Sequence, residues 1–178
     1  MVDATEVNSL MKKVRQSRRY ESAPLTEDEV TELLQIARWT GSSRNTQPWH
    51  FIAITDTEIL KQVSDLLAPI NWVADAPLAI AIVLKGHNAD VSEAYDEGRV
   101  TERLMIGAHA MGYGAGVAWF GDDDNQNKAK EILNIPAEYT ARSVVAIGKS
   151  ITTKDHRPNP STPGRHPLEE VASYNRMG

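Results

Sequence analysis

The side chains best suited to chemistry lie in one polar segment, residues 41–49, which reads GSSRNTQPW. A carboxamide both donates and accepts hydrogen bonds, so Asn45 and Gln47 could recognise the alternating donors and acceptors of a flat polar ring without adding charge. Pro48 fixes its own φ and is expected to hold Gln47 in an extended conformation. An ordinary polar loop that leads into a strand has the same composition, so the segment alone leaves both interpretations open.

Arginine and hydroxyl side chains at two other places could bind a phosphate. Arg15, Ser17 and Arg19 lie at the end of the first predicted helix, where Arg15 and Arg19 would share a face if the helix continued. Two guanidinium groups and a hydroxyl can contact an anion from several directions. Near the other end, Arg165 precedes Pro167, which is typical of a first helical turn, where free backbone N–H groups also attract anions. A solvated basic helix end and a linker arginine are the alternatives.

Three glycines follow the longest predicted helix, at Gly112, Gly114 and Gly116. They do not form the G-x-G-x-x-G pattern, and they follow a helix rather than a strand, which argues against a Rossmann dinucleotide site. They predict instead a tight junction between a helix and a strand, where the backbone can approach something flat. Phe120 and Gly121, at the end of that strand, could then present backbone N–H groups.

The elements that must position these residues mix helices with four short strands. Periodicity and capping residues predict helices over residues 4–17, 26–41, from Asp56 or Thr57 to a stop at Pro69, over 91–111, from 122 to a stop at Pro136, and over 167–174. Apolar runs predict strands over residues 49–55, 78–84, 117–120 and 143–147. Because strict β-α-β alternation is absent, this order indicates an α+β fold.

The last part of the chain differs in character from the first 149 residues. Prolines at positions 158, 160, 163 and 167 lower the helix and sheet potential of residues 150–167, whereas apolar anchors remain at positions 151, 168, 171 and 174. A disordered end would have such a composition, and so would an arm that wraps over a partner subunit, which we favour. We therefore divide the chain into a domain over residues 1–149 and a C-terminal arm of the same domain over residues 150–178.

The bulk composition of the 178 residues sets the broad class. Lysine and arginine total 19 against 24 aspartate and glutamate residues, and the net charge of -5 disfavours nucleic-acid and membrane-surface binding. No cysteine is present, which excludes disulfides, thiolate metal sites, iron–sulfur clusters and catalytic thiols. The histidines show no metal-ligand spacing. A polar N-terminal segment and the lack of a long apolar run lead us to expect a cytoplasmic protein.

Taken in sequence order, these features resemble the nitroreductase family of FMN-dependent oxidoreductases. The resemblance rests on an R-x-S-x-R element at residues 15–19, the S-x-N-x-Q-P-W core at residues 43–49, the glycine stretch at 112–121, and Arg165. It implies a central mixed sheet flanked by helices, and a homodimer with FMN at the subunit interface whose C-terminal arms embrace the partner. It also implies hydride transfer from NADH or NADPH through the flavin to nitroaromatic, quinone or similar electron-poor acceptors.

The resemblance further implies a role for each candidate residue. One subunit would hold the phosphate, ribityl chain and pyrimidine edge of FMN through Arg15, Gln16, Ser17 and Arg19. Arg165 would bind the phosphate. Backbone groups of Phe120 and Gly121 would lie near the flavin N5. The loop of the partner subunit would surround the ring with Ser42, Ser43, Asn45 and Gln47.

Two departures from the family pattern bear on function. Gly41 replaces a proline often seen before the paired serines, and Pro163 stands where some members carry a second basic residue. The region that shapes substrate specificity, residues 85–97, is short, so the acceptor stays undetermined. No side-chain general acid is identifiable. Two alternatives therefore stay open: other flavin chemistry, such as reductive dehalogenation, flavin destruction or substrate oxidation, and a non-catalytic FMN-binding or regulatory protein.

Overall fold

The computed structural model describes residues 3–86, 91–151 and 164–177. Its helices are α1 (Ala4–Lys13), α2 (Glu27–Arg38), α3 (Thr57–Ser64), α4 (Val91–Ala110), α5 (Asp123–Ile132) and α6 (Leu168–Val171). Its strands are β1 (Trp49–Ile54), β2 (Leu78–Leu84), β3 (Gly114–Trp119) and β4 (Thr140–Gly148), and 3₁₀ helices cover Ser43–Asn45 and Ala68–Asp75. The α+β fold and the four strands predicted from the sequence are confirmed.

Local side chains explain where the helices begin. Thr26 caps α2, and its side chain and that of Glu29 satisfy each other's backbone N–H groups, so the predicted capping box is confirmed. Asp56 caps α3 by accepting from the N–H groups of Glu58 and Ile59, and Asp122 caps α5 in the same way. These polar caps fix the ends of helices whose apolar faces pack on the sheet.

The sheet has the strand order β1-β2-β4-β3, and each neighbouring pair is antiparallel. β2 is central and buried along its whole length, as its unbroken apolar sequence predicts. Its alternating residues face two cores: small Ala79 and Ala81 face α3, α5 and Trp72, whereas Leu78, Ile80, Ile82 and Leu84 face α2 and α4. Helices therefore cover both faces of the sheet.

A mixed sheet, with both parallel and antiparallel pairing, was expected. Among the described residues, the parallel pairing lies at the β3 edge. Gln16 forms a parallel bridge with Ala115, and Tyr20 forms an antiparallel bridge with Ser150. The segment between α1 and α2 thus runs beside β3 and the end of β4. This pairing brings the first arginine segment to one edge of the sheet.

Several predicted boundaries were wrong. α1 ends at Lys13 instead of continuing to residue 17, because the backbone that follows pairs with β3. α3 ends at Ser64, and Pro69 lies in the first turn of the next 3₁₀ helix. β3 begins at Gly114 rather than at residue 117, and the last helix has only four residues.

Some predictions fall on residues that are not described. The prolines at 158, 160 and 163, the histidines at 87 and 156, and part of the short region 85–97 lie outside the described ranges. Within those ranges, no helix is both long and apolar enough to cross a membrane.

Candidate functional site

The first arginine segment is held against β3 by backbone hydrogen bonds. The Ser17 N–H donates to the Ala115 carbonyl at 2.7 Å, and Gln16 Nε2 donates to the Val117 carbonyl at 3.2 Å. Arg15 and Arg19 therefore do not share a helical face, and the expectation of a continued helix was wrong. The segment is instead an edge strip whose position is set by the sheet.

Glycines in β3 make this close approach possible. A Cβ at Gly116 would overlap the Ser17 carbonyl oxygen, and a Cβ at Gly114 would overlap the hydroxyl oxygens of Ser17 and Ser150. Backbone oxygen cannot move aside as a flexible side chain can, so Gly116 admits no side chain here. The expected close approach at the glycines is therefore confirmed, but what approaches them is the chain's own residue 17.

Arg15 and Arg165 line one cavity of about 630 Å³, although they lie near opposite ends of the sequence. Lys12 adds a third cation and Glu102 one carboxylate, while Gln16 and Met105 form part of the wall. Arg15 Nη1 donates to the carbonyls of Lys12 and Val14, both at 2.7 Å, which fixes the guanidinium at the C-terminal end of α1. The cavity thus has a positive charge excess suited to an anion.

A second cavity, of about 390 Å³, adjoins the first and shares Arg15 and Met105 with it. Ser17 and Ser150 lie in its wall, with their hydroxyl oxygens 2.5 Å apart. Only one of the two can donate to the other, so one hydroxyl hydrogen remains available to a ligand. Arg19 is exposed and lines neither cavity.

The carboxamide loop is folded by its own hydrogen bonds. Ser42 Oγ accepts from the Gln47 N–H at 2.8 Å, and the carbonyls of Ser42 and Ser43 accept from the N–H groups of Asn45 and Thr46. Gln47 has a φ of 48°, so the expectation that Pro48 holds it extended was wrong. Asn45 (φ 56°) is also left-handed, which is common for asparagine and unusual for glutamine.

The loop is tied to α4 and to β2 as well. The Ser43 N–H donates to both carboxylate oxygens of Asp96, at 3.0 and 3.3 Å. The Lys85 N–H donates to the Pro48 carbonyl at 2.9 Å. Left-handed non-glycine residues cost about 1–2 kcal/mol each, so these outside contacts are needed to hold the loop in its shape.

The loop and the arginine segment lie at opposite edges of the sheet. The loop leads into β1, whereas the arginine segment pairs with β3, and these are the two edge strands. Three strand spacings, about 14 Å, separate β1 from β3, and the arginine segment lies one spacing beyond β3. Neither cavity beside Arg15 includes a residue of the loop. The protomer therefore gathers Arg15, Gln16, Ser17 and Arg165 and leaves Ser42, Ser43, Asn45 and Gln47 as a separate group.

Comparison with known proteins finds similarity to one family. A model of the nitroreductase family matches residues 12–85. A protein of Archaeoglobus fulgidus whose name includes NAD(P)H nitroreductase is 28% identical over 148 residues, covering 79% of this chain and 83% of that protein. The chain is thus similar in sequence to nitroreductase-family proteins.

Two further relatives agree with this assignment. An NADPH-dependent oxidoreductase of Staphylococcus haemolyticus is 24% identical over 180 residues, covering 90% of this chain and 71% of its own. The structure of an FMN-dependent nitroreductase from Clostridium difficile superposes with a TM-score of 0.80 at 22% identity, covering 94% of this chain and 98% of that one. The chain therefore has the same fold as that structure.

The end of β3 differs from the sequence-based expectation for the candidate site. The Phe120 N–H is not available to a ligand, because it donates to the Arg142 carbonyl at 2.9 Å, and the Phe120 side chain is fully buried. Gly121 has a φ of 88°, and its carbonyl accepts from Gln126 Nε2 at 3.0 Å. Of the two residues, only Gly121 retains the candidate role for its N–H.

A charged cluster borders the second cavity and was missed from the sequence. The Tyr113 hydroxyl donates to Glu29 Oε1 at 2.6 Å, and Lys149 Nζ lies 4.3 Å from the centre of the Tyr113 ring. The hydrogen bond from Tyr113 is the main cause of a lowered Glu29 pKa, and the same bond raises the pKa of Tyr113 to about 12. Tyr113 therefore stays neutral, and Glu29 stays charged, across the physiological pH range.

Other groups near the candidate site residues were also missed from the sequence. Ser150 forms a hydrogen bond with Ser17, and Asp96 accepts one from Ser43. Both partners are far away in the sequence, so no local motif indicates these residues. The register of β3 against β4, in which Gly114 faces Gly148, could have placed Ser150 near Ser17. Among the described residues, no group of three or more histidine, aspartate or glutamate side chains could hold a metal ion.

Proposed function

We propose that the protein is an FMN-dependent oxidoreductase that transfers hydride from NADH or NADPH to nitroaromatic, quinone or similar electron-poor acceptors. The match of residues 12–85 to the nitroreductase family model supports the general activity. The names of similar proteins support the cofactors, since the Clostridium difficile protein is called FMN-dependent and the Staphylococcus haemolyticus protein NADPH-dependent.

The observation that carries the proposal is the shared cavity of Arg15 and Arg165. Lys12, Arg15 and Arg165 supply three positive charges against one negative charge on Glu102, which fits the phosphate of FMN. Residue chemistry and the family resemblance both indicated phosphate binding near these arginines, and the fold brings them together from opposite ends of the chain. The donor set therefore fits the group that the family binds.

The chain's own residues would bind and orient the cofactor. The ring of FMN supplies the hydride acceptance and donation when bound. The spare hydroxyl hydrogen of the Ser17–Ser150 pair could bind an oxygen of the sugar chain, beside the phosphate held by Arg15. Arg19, which is exposed, would place a positive charge where negative charge develops on the pyrimidine edge.

The separation of the two residue groups supports a site built from two protomers. A homodimer would place the carboxamide loop of one subunit against the arginine edge of the other. The domain over residues 1–149 and the arm over residues 150–178 keep the roles proposed above, in which the arm wraps the partner. Large side chains exposed in the protomer, Trp39, Tyr95 and Trp119, suit such an interface.

Steady-state turnover tests this proposal. We expect oxidation of NADH or NADPH with a panel of nitroaromatics and quinones, with parallel double-reciprocal lines that indicate alternate binding of donor and acceptor. Reoxidation of the reduced flavin only by a halogenated substrate would indicate reductive dehalogenation. Loss of the flavin itself during the reaction would indicate flavin destruction. FMN binding without any turnover would select a non-catalytic binding protein.

A further inference from the structure

The buried carboxylate of Asp96 is the main outside contact of the carboxamide loop. Its side chain lies on α4 and is almost fully buried, with 2% of the residue exposed. Both of its oxygens accept from the single N–H of Ser43, and Oδ1 also forms an ion pair with Arg99 Nη1 at 3.2 Å. A buried carboxylate must be paired, and here its partners are one loop amide and one half-exposed guanidinium.

Arg99 extends this anchor to the start of the loop. A Cβ at Gly41 would lie 2.7 Å from Arg99 Nη2, so the guanidinium packs directly against the Gly41 backbone. The two ends of the first loop turn, Gly41 and Ser43, therefore rest on the Asp96–Arg99 pair. A side chain at position 41 would require the half-exposed Arg99 side chain to move away from the loop.

We propose that Asp96 is a positioning residue that sets the shape of the loop and thereby the affinity for the cofactor. Arg44, Asn45 and Gln47 all have positive φ, with values of 52°, 56° and 48°. Such a backbone relaxes unless it is held from outside. The Ser43–Asp96 hydrogen bonds hold the residue that directly precedes this run. This inference rests on the proposed function, because the loop acts on a flavin only if the protein binds one.

The neighbouring residue Glu97 provides a matched control. It is a buried carboxylate on the same turn of α4, but it faces the sheet, where it pairs with Arg142 at 2.9 Å and accepts from Ser143 at 2.8 Å. Replacing Glu97 removes an ion pair with the largely buried Arg142, which destabilises the fold. Replacing Asp96 leaves Arg99, whose side chain is 53% exposed and can be solvated. If these substitutions weakened FMN binding only by destabilising the fold, replacing Glu97 should weaken it more than replacing Asp96.

The test compares D96N, D96A and E97Q by two measurements. Amide hydrogen exchange of the cofactor-free protein reports the loop directly, and we expect faster exchange across residues 42–47 in D96A, a smaller increase in D96N, and none in E97Q. Titration with FMN reports the consequence, and we expect the dissociation constant to rise about tenfold or more in D96A, less in D96N, which keeps one acceptor oxygen, and little in E97Q.

Each other outcome has a definite meaning. Faster loop exchange in D96A with wild-type FMN affinity would overturn the positioning role and leave the proposed function intact. An equal or larger loss of FMN affinity in E97Q would overturn it too, since the effect would then follow global stability. If D96A does not fold, D96N decides, and wild-type behaviour of D96N in both measurements contradicts the inference. A wild-type protein that does not bind FMN would instead overturn the proposed function itself.

Discussion

The backbone N–H of Ser17 donates to the carbonyl of Ala115 at 2.7 Å, and this bond places the arginine segment on the β3 edge. The neighbouring glycine, Gly116, leaves the room that the Ser17 carbonyl occupies. A side chain at that position would push residue 17 off the strand. The position of the arginine segment therefore depends on the Ser17–Ala115 bond and on the absence of a side chain at Gly116.

The first prediction follows from this packing. G116A should destabilise the protein by about 1–3 kcal/mol, because the added methyl overlaps backbone oxygen that cannot rotate away. It should also weaken FMN binding, because Arg15 and Ser17 would move. Thermal unfolding and FMN titration measure both effects. The control is G98A: nothing lies within 4 Å of a Cβ there, and the exposed helical position should gain about 0.5–1 kcal/mol. Equal stability of G116A and wild type would contradict the packing argument.

A second prediction concerns the division of the site between protomers. R15A removes one guanidinium group from the arginine segment, and the double variant N45A/Q47A removes both carboxamides from the loop. If the two groups come from different subunits, a mixed dimer of these variants contains one intact site and one doubly altered site. Subunit exchange between the two inactive proteins should then restore about a quarter of wild-type activity. Mixing that restores nothing, although mixed dimers are detected by mass spectrometry, would place both groups in one subunit.

A third prediction concerns Arg19, which is exposed and lines neither cavity beside Arg15. A positive charge near the pyrimidine edge stabilises the reduced ring, so R19A should lower the reduction potential of the bound flavin. A loss on the order of 1 kcal/mol corresponds to about 20–30 mV for a two-electron couple. R15A removes a charge that we propose acts on the phosphate. This variant should therefore change the FMN dissociation constant and leave the reduction potential nearly unchanged. Spectroelectrochemistry of both variants checks this, and an unchanged potential in R19A would remove its assigned role.

A fourth prediction uses the Tyr113–Glu29 hydrogen bond. The lowered pKa of Glu29 means that its contribution to the free energy of unfolding is present at neutral pH and is lost as the pH falls below the ordinary glutamate range. The raised pKa of Tyr113 means that its contribution is present below pH 10 and is lost as the pH rises toward about 12. The stability difference between wild type and Y113F should therefore be largest between these limits. Denaturant unfolding across this pH range measures it, and a difference that is independent of pH would contradict the bond.

The sequence predicted those parts of the molecule that depend on local patterns. The capping box at Thr26, the apolar strand over residues 78–84 and the N-caps at Asp56 and Asp122 are all confirmed. Each depends on neighbours within a few positions, which periodicity and capping preferences detect. The α+β class followed from their order.

The parts that could not be predicted depend on pairing across the chain. α1 was extended too far because the competing bond from Ser17 to Ala115 is not visible locally. Phe120 appeared free to donate its N–H because its partner, the Arg142 carbonyl, lies on another strand. Asp96 was overlooked for the same reason, since its partner is a backbone amide in a loop more than 50 residues earlier. The binding roles of the candidate residues stay predictions.

The central claim, that Arg15 and Arg165 bind the phosphate of FMN, is tested most directly by one titration. Apoprotein of wild type, R15A/R165A and the control K61A, which alters an exposed lysine on α3, is titrated with FMN while flavin fluorescence is followed. We predict tight binding by wild type and K61A, and a dissociation constant raised by about 100-fold or more in R15A/R165A, since each charged contact contributes about 1.5–3 kcal/mol. Equal affinity in all three proteins, with the dimer intact, would contradict the account.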